Sequence, residues 1–283
     1  MTKLPGLYII IFITRNFMET YNYTGRSDGL GNRIEEIILL ESIADKEKIN
    51  INYVWQNKYK HRSYKIFFST KNVKLIENPN TNETFNKLSN YSNGLTQNDI
   101  LIAAKHIKPI FNIRFDNQIK PVGIHIRGTD RIGKVHPHFM KSTKEFNLYL
   151  SKTIELLNHT KPKYIFICSD DYTVKNKFIQ YLDKEISVIN PICESSIPPE
   201  YKDFFSLTLC SKIYMCSKFS SFSIVASLIG NIPLISYVYD EAIKERYKAL
   251  FEYNLDFDKI KYIKIVQSND FKEKIINYVL RKF

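Results

Sequence analysis

Val122-Gly123-Ile124-His125-Ile126-Arg127-Gly128-Thr129-Asp130, or VGIHIRGTD, is the stretch that decides how this chain is read. Its first five residues form a short apolar run that reads as a buried strand. Arg127 then emerges where the strand ends. In open α/β sheets, ligands collect in the crevice beyond the carboxyl ends of the strands. A guanidinium at that place is permanently charged and offers a rigid fork suited to phosphate oxygens. Taken alone, HIRGTD reads equally well as a structural clamp in which Arg127 pairs with Asp130.

Downstream, two hydrophobic periodicities alternate. Phe146, Leu150, Ile154 and Leu157 mark one face of a helix. Residues 164–168 read as strand, 174–182 as helix, 186–189 as strand and 201–210 as helix. Further strands over 213–216, 233–237 and 262–266 interleave with helices over 221–229, 241–251 and 271–280. Strands separated by helices of this length imply βαβ units and a parallel sheet, so the fold class is α/β. Upstream the pattern is less regular. Ile34, Ile37, Ile38 and Ala44 carry a helix, with Glu35 and Glu36 near its positive end. Residues 51–55, 64–68, 73–76 and 100–104 are expected strands, and 78–98 an Asn-rich surface loop with a short helix. A boundary within 108–118 separates an N-terminal domain, residues 1–112, from a C-terminal domain, residues 113–283. The last helix is expected to pack back on the first domain.

Composition sets wide bounds. The 283 residues are 44% hydrophobic and 25% charged, an ordinary globular composition. Forty-one Lys and Arg against 29 Asp and Glu give a formal charge of +12. Such an excess favours anionic partners, whether nucleic acid, an anionic membrane or a sugar nucleotide. Lysine is spread through the chain, and no zinc finger, stacking motif or basic stripe accompanies it, so nucleic-acid binding rests on net charge alone. Cys168, Cys193, Cys210 and Cys216 show no C-x-x-C pairing and no metal-ligand spacing. Three of them fall in apolar runs, where a buried reduced thiol is the default, and this favours the cytoplasm. The apolar run over 7–13 is too short for a bilayer, which takes roughly 20 residues. Arg15-Asn16-Phe17 offers no small-residue cleavage site. The run is a first strand or lies upstream of an initiator at Met18, in which case residues 1–17 are dispensable. Membrane contact is at most peripheral.

Three other segments carry chemistry. In GRSDGLGNR, residues 25–33, Gly29 and Gly31 open a helix and would let backbone approach a ligand, while the helix start offers free N–H donors. In CSDD, residues 168–171, Ser169, Asp170 and Asp171 follow a strand end. Paired carboxylates invite a metal, but capping of the next helix by one Asp is the preferred reading. In residues 203–230, Ser220, Ser221 and Ser223 flank Phe222 where a strand turns into a helix. Hydroxyls and amides there form a phosphate cradle, or a plain serine cap.

HIRGTD together with these three segments resembles, in order and spacing, the superfamily of GDP-fucose-dependent fucosyltransferases. The likeness is greatest to the α1,6-type enzymes (core and nodulation type), whose central motif reads H-x-R-R-T-D. It spans residues 25–230. The resemblance implies a GT-B architecture of two Rossmann-like domains facing across a cleft, and inverting, metal-independent transfer of fucose from GDP-fucose to a glycan hydroxyl. It implies that Arg127 stabilises the departing GDP and that His125 lies against the nucleotide. Asn32 and Arg33 face the diphosphate across the cleft, Asp171 contributes at the donor, and Ser220, Ser221 and Phe222 contact the diphosphate. Asp203 would accept from guanine's N1–H and amino group.

Two departures stand out. The second Arg of the family motif is Gly128 here, with Arg131 or Arg33 as replacements. The position of the catalytic Glu is Val135. A hydroxyl nucleophile calls for a general base, and His136 is the chosen candidate, with His138, Asp28 and Glu145 behind it. No cofactor is implied beyond the GDP-sugar itself. Two alternatives stay open: the same fold with another sugar-nucleotide donor, and a non-catalytic nucleotide- or glycan-binding relative.

Overall fold

Parallel strands joined by helices dominate the computed structural model, which describes residues 20–56, 65–77, 94–128, 132, 140, 142–238 and 260–264. The N-terminal part contains β1 (Thr20–Thr24), α1 (Leu30–Glu47), β2 (Asn50–Trp55), β3 (Phe68–Ser69), β4 (Val73–Glu77), α2 (Gln97–Ala104), β5 (Lys108–Pro109) and β6 (Ile113–Arg114). There follow β7 (Val122–Ile126), α3 (Thr143–Thr160), β8 (Tyr164–Ser169), α4 (Tyr172–Gln180), β9 (Ser187–Val188) and β10 (Ile192–Cys193). The described chain closes with α5 (Pro199–Thr208), β11 (Lys212–Cys216), α6 (Ser221–Gly230), β12 (Leu234–Val238) and β13 (Ile260–Lys264). The expected features over 1–17 and 78–93, and the helices over 241–251 and 271–280, lie outside the described residues.

Six strands form one parallel sheet in the order β13-β12-β11-β7-β8-β9. The chain runs outward from β7 to β9 and then returns to the other side of β7 to build β11, β12 and β13. The sheet therefore reverses direction between β7 and β11, and a crevice opens beyond the carboxyl ends of those two strands.

Each face of this sheet has its own core. Ile124 and Ile126 of β7 pack with Phe146, Leu150, Ile154 and Leu157 of α3, all nearly sealed from water. At roughly 1.5–3 kcal/mol per buried large apolar side chain, this stripe explains why α3 forms along its whole length. The opposite face, reached by Phe166, Met215 and Leu234, packs under α5 and α6, and the same core continues through α1 and α2 to β2. There β1, β2 and β4 make a second, three-stranded parallel sheet.

One expected strand is a helix. Ile100 to Ala104 lies in α2. A five-residue apolar run does not distinguish strand from helix by its period. The decision comes from Thr96, whose Oγ1 accepts from the Asp99 amide at 3.2 Å while Asp99 Oδ2 accepts from the Thr96 amide at 2.7 Å. This reciprocal cap satisfies two backbone donors and starts the helix. Of the strand expected over 64–68, only Phe68 belongs to one. The strand β1 over Thr20–Thr24 was not anticipated, because TYNYT lacks an aliphatic pattern.

No helix among the described residues is long and apolar enough to cross a membrane. All four cysteines are free thiols.

Candidate functional site

Two strand ends and two helix starts meet at the reversal point. Along β7, Ile124 and Ile126 face one core, so the two-residue period turns His125 toward α6, and Arg127 follows at the strand's end. His125 is 6% exposed. Its Nδ1 lies 2.5 Å from Ser223 Oγ, and its ring lies 5.0 Å from that of Phe222. The tautomer of His125 decides which of the two groups donates.

The start of α6 is uncapped. Ser220 occupies the N-cap in an extended conformation, yet its hydroxyl makes no capping bond. That hydroxyl is buried and has no partner among the described residues, so the plain serine cap does not apply. The first turn of α6 contains no acidic residue. The start of α1 shares both properties: Gly29 provides no side-chain cap, and its first turn is free of acid. Unpaired N–H groups and an uncompensated helix dipole make each start attractive to an anion.

The two starts touch. A Cβ built on Gly31 would lie 2.5 Å from the Phe222 amide nitrogen and 2.9 Å from the Ser221 carbonyl carbon. The expectation that Gly31 makes room for a ligand is therefore corrected: it makes room for α6. Phe222 is held from its other side by Phe204, edge to face at 5.1 Å.

The loop ahead of α1 is fastened from below. Glu36 accepts from the Tyr23 hydroxyl at 2.6 Å, the Tyr53 hydroxyl at 2.7 Å and the Arg26 amide at 2.8 Å. Burial, reinforced by the Glu36 carboxylate, pushes the Tyr53 phenol well up, so it stays a neutral donor. Gly25 rests on the same ring; a Cβ there would lie 2.0 Å from Tyr53 Cζ. Arg33 also belongs to this support. It is 4% exposed and lies 4.5 Å above the Trp55 ring. Its Nε donates to the Asp28 carbonyl at 2.8 Å and an Nη to the Ser27 carbonyl at 3.1 Å. Arg33, expected to face a diphosphate, is turned inward and holds the loop, because stacking on Trp55 and two carbonyls satisfy it there. Asn32 Nδ2 donates to Asp28 Oδ2 at 2.6 Å, and an Arg26 Nη reaches the same oxygen at 2.9 Å. The other oxygen of Asp28 is buried without a partner among the described residues.

The CSDD segment has a divided role. Asp171 Oδ1 accepts from the Val174 amide at 3.0 Å and caps α4. Asp170 Oδ1 accepts from the Gly128 amide at 3.1 Å, which ties the end of β8 to the HIRG turn. A Cβ on Gly128 would lie 2.7 Å from Phe146 Cζ, so the turn has no room for a long side chain at that position. On α5, Asp203 forms no hydrogen bond or ion pair among the described residues. Burial raises its carboxyl to about 6 despite opposing fields from Lys175 and Lys202, with Glu200 adding to the rise. Its field reaches Cys168 at the end of β8, whose thiol burial foremost pushes well up.

Sequence reasoning missed the Glu36–Tyr23–Tyr53 support and one further cation. Lys218, two residues past β11, is 7% exposed. The register that pairs Cys216 with Ile126 puts Ser217 level with Arg127 and Lys218 one residue further on, and a cation just past a strand end was the available signal. Asp130, Arg131, Val135, His136 and His138 lie outside the described residues. Glu145 accepts from the Tyr149 hydroxyl at 3.1 Å on the first turn of α3. Among the described residues, no three His, Cys, Asp or Glu side chains converge as metal ligands.

No protein-family model matches the chain, and no curated protein matches it in sequence. Solved structures do match. The fucosyltransferase NodZ from Bradyrhizobium aligns over 80% of this chain and 96% of its own, with a TM-score of 0.51 at 12% identity. NodZ α-1,6-fucosyltransferase soaked with GDP-fucose aligns over the same shares with a TM-score of 0.50 at 13% identity. POFUT1 in complex with GDP aligns over 75% of this chain and 94% of its own, with a TM-score of 0.50 at 10% identity.

The chain shares the fold of fucosyltransferases. At such identities the likeness is one of fold, and the chemistry has to be argued from the crevice itself.

Proposed function

We propose that this protein is an inverting glycosyltransferase that moves fucose from GDP-fucose to a glycan hydroxyl without a metal ion. The observation that carries the reading is the contact of two uncapped helix starts, with the Ser220 hydroxyl buried and without a partner among the described residues. Such a place suits a group with several acceptor oxygens and negative charge, as a diphosphate has. Two proteins of the same fold are described with GDP-fucose and with GDP.

In this reading the diphosphate lies across the starts of α1 and α6, within a GT-B cleft between the domains 1–112 and 113–283. As the bond from fucose C1 to the β-phosphate oxygen breaks, negative charge grows on GDP. Arg127, Ser220, Ser221 and the amides of the first turn of α6 stabilise that charge. His125 and Phe222 form the floor beneath the nucleotide. Asp203, ionised above about pH 6, accepts from the N1–H and amino group of guanine and disfavours uracil and adenine. His136 takes the proton of the acceptor hydroxyl. Asp171 acts by holding α4, and Gly29 and Asn32 by shaping the loop over the diphosphate. The acceptor is a glycan held by the N-terminal domain.

Calorimetric titration with GDP, UDP, ADP and GDP-fucose in the presence of a chelator tests this reading. GDP-selective binding that weakens in Arg127→Ala supports it. A folded protein that binds none of these nucleotides overturns it.

A further inference from the structure

Lys218 presents an unusual combination. Its side chain is 93% removed from water, and it takes part in no hydrogen bond or ion pair among the described residues. A lysine buried to this degree is almost always paired. A lysine whose stem is packed here has its ammonium placed for an anionic partner.

Its place in the fold gives the absent partner an address. Cys216, the last residue of β11, pairs in register with Ile126, the last of β7. Lys218 and Arg127 therefore leave adjacent parallel strands, roughly 5 Å apart at that rung, on the two sides of the point where the sheet reverses. Lys218 also stands two residues ahead of the Ser220 N-cap, and the sealed hydroxyl of Ser217 beside it is unpaired as well. Two buried hydroxyls within four residues, those of Ser217 and Ser220, thus lack partners among the described residues on either side of Lys218, at one uncapped helix start. Loss of an isolated hydrogen bond would leave one orphan group, whereas two hydroxyls with a cation between them match a polyanionic ligand.

We infer that Lys218 is a diphosphate-binding residue, a second fixed cation that acts with Arg127 on the departing nucleotide. The inference rests on the nucleotide-dependent reading above. The ammonium and the guanidinium would engage the diphosphate from the β11 and β7 sides, so that charge growing on either phosphate meets a cation held in place by its packed stem. Because the lysine stem is packed, it loses little rotamer freedom when a ligand arrives, which favours affinity.

The test is titration of wild-type, Lys218→Met and Lys218→Arg proteins with guanosine and GDP, beside thermal unfolding of each. Methionine keeps the stem's volume and removes only the charge. The expected result is a ten- to hundredfold loss of GDP affinity in Lys218→Met, unchanged guanosine affinity, and recovery of most GDP affinity in Lys218→Arg. A folded Lys218→Met protein that binds GDP as tightly as wild type overturns the inference while leaving the nucleotide reading intact. Absence of GDP binding by the wild type sinks the parent reading instead. Should the methionine variant fail to fold, wild-type protein decides the matter: bound GDP must shield Lys218 from reductive methylation, read by peptide mass spectrometry, and equal labelling with and without GDP overturns the inference.

Discussion

Gly31 of α1 and Phe222 of α6 are packed backbone against backbone, with room for a hydrogen and nothing larger between them. This contact brings two helix starts to one spot, and the site depends on it. Gly31→Ala would force the helices apart. Overpacking of this kind costs about 1–3 kcal/mol, and because neither backbone can rotate away, the upper end is expected. Thermal unfolding should show the loss, and GDP affinity should fall with it. An alanine variant with unchanged melting and binding would mean the helices do not cross there.

Arg127→Ala should act on the rate more than on the fold. A donor that stabilises charge developing in the transition state typically contributes 10²–10³ in kcat. The expected result is a loss of that size, with a melting temperature close to wild type and a smaller change in KM. A rise in KM alone would reassign Arg127 to ground-state binding.

Asp203 links recognition to stability, with opposite signs. Its carboxyl titrates near 6 in the folded protein and near 3.8 in an unfolded chain. The folded state therefore binds more protons between these values. The contribution of Asp203 to stability is fully present below about pH 4 and is lost as the pH rises through 6. Asp203→Asn should consequently stabilise the free protein at pH 7.5 by about 3 kcal/mol and have little effect near pH 4. GDP binding runs the other way, because only the carboxylate can accept from guanine. Wild-type affinity should decline below pH 6, and the Asn variant should lose its preference for GDP over UDP. Retained selectivity would remove Asp203 from the base-binding role.

Glu36 is expected to matter without touching a ligand. It joins Tyr23, Tyr53 and the Arg26 amide, and Glu36→Ala would remove their shared acceptor, leaving the Arg26 amide only its bond to the Tyr53 hydroxyl, at about 1–3 kcal/mol for each donor left buried and unsatisfied. The glycine loop would lose its fixed position. GDP affinity should fall together with hydrogen-exchange protection at residues 25–29. If protection is lost and GDP binding persists, the loop does not cover the nucleotide.

For His136, the prediction concerns saturating donor and acceptor. A neutral imidazole is needed to accept the acceptor's proton, so kcat should rise with pH through about 6.5. His136→Ala should abolish that limb and lower kcat by about 10²–10⁴. Survival of the limb in the variant would point to Asp28 or another group.

Much of the fold was legible because strand and helix write different periods into the chain. Val122–Ile126, Tyr164–Ser169 and the helix between them needed no tertiary information. Residues 100–104 were misread because five consecutive apolar side chains satisfy both periods, and the Thr96–Asp99 cap that settles the matter is a local interaction outside the run. At the site, the strand end carrying His125 and the helix start carrying Phe222 were both legible locally, and the fold puts the two rings 5.0 Å apart.

What the sequence determined by itself is most of the local choices from Val122 onward: the strands and helices whose periods are distinct, and that a permanent cation follows β7. Tertiary structure alone decided which charges remain available. Arg33 and Lys218 look alike in sequence as single basic residues near a turn. Packing turned the first over Trp55, where carbonyls satisfy it, and left the stem of the second buried past β11 with no ion pair among the described residues. The reason is physical: a side chain's chemistry is set by which solvent and which partners surround it, and those surroundings come from residues far away in the chain.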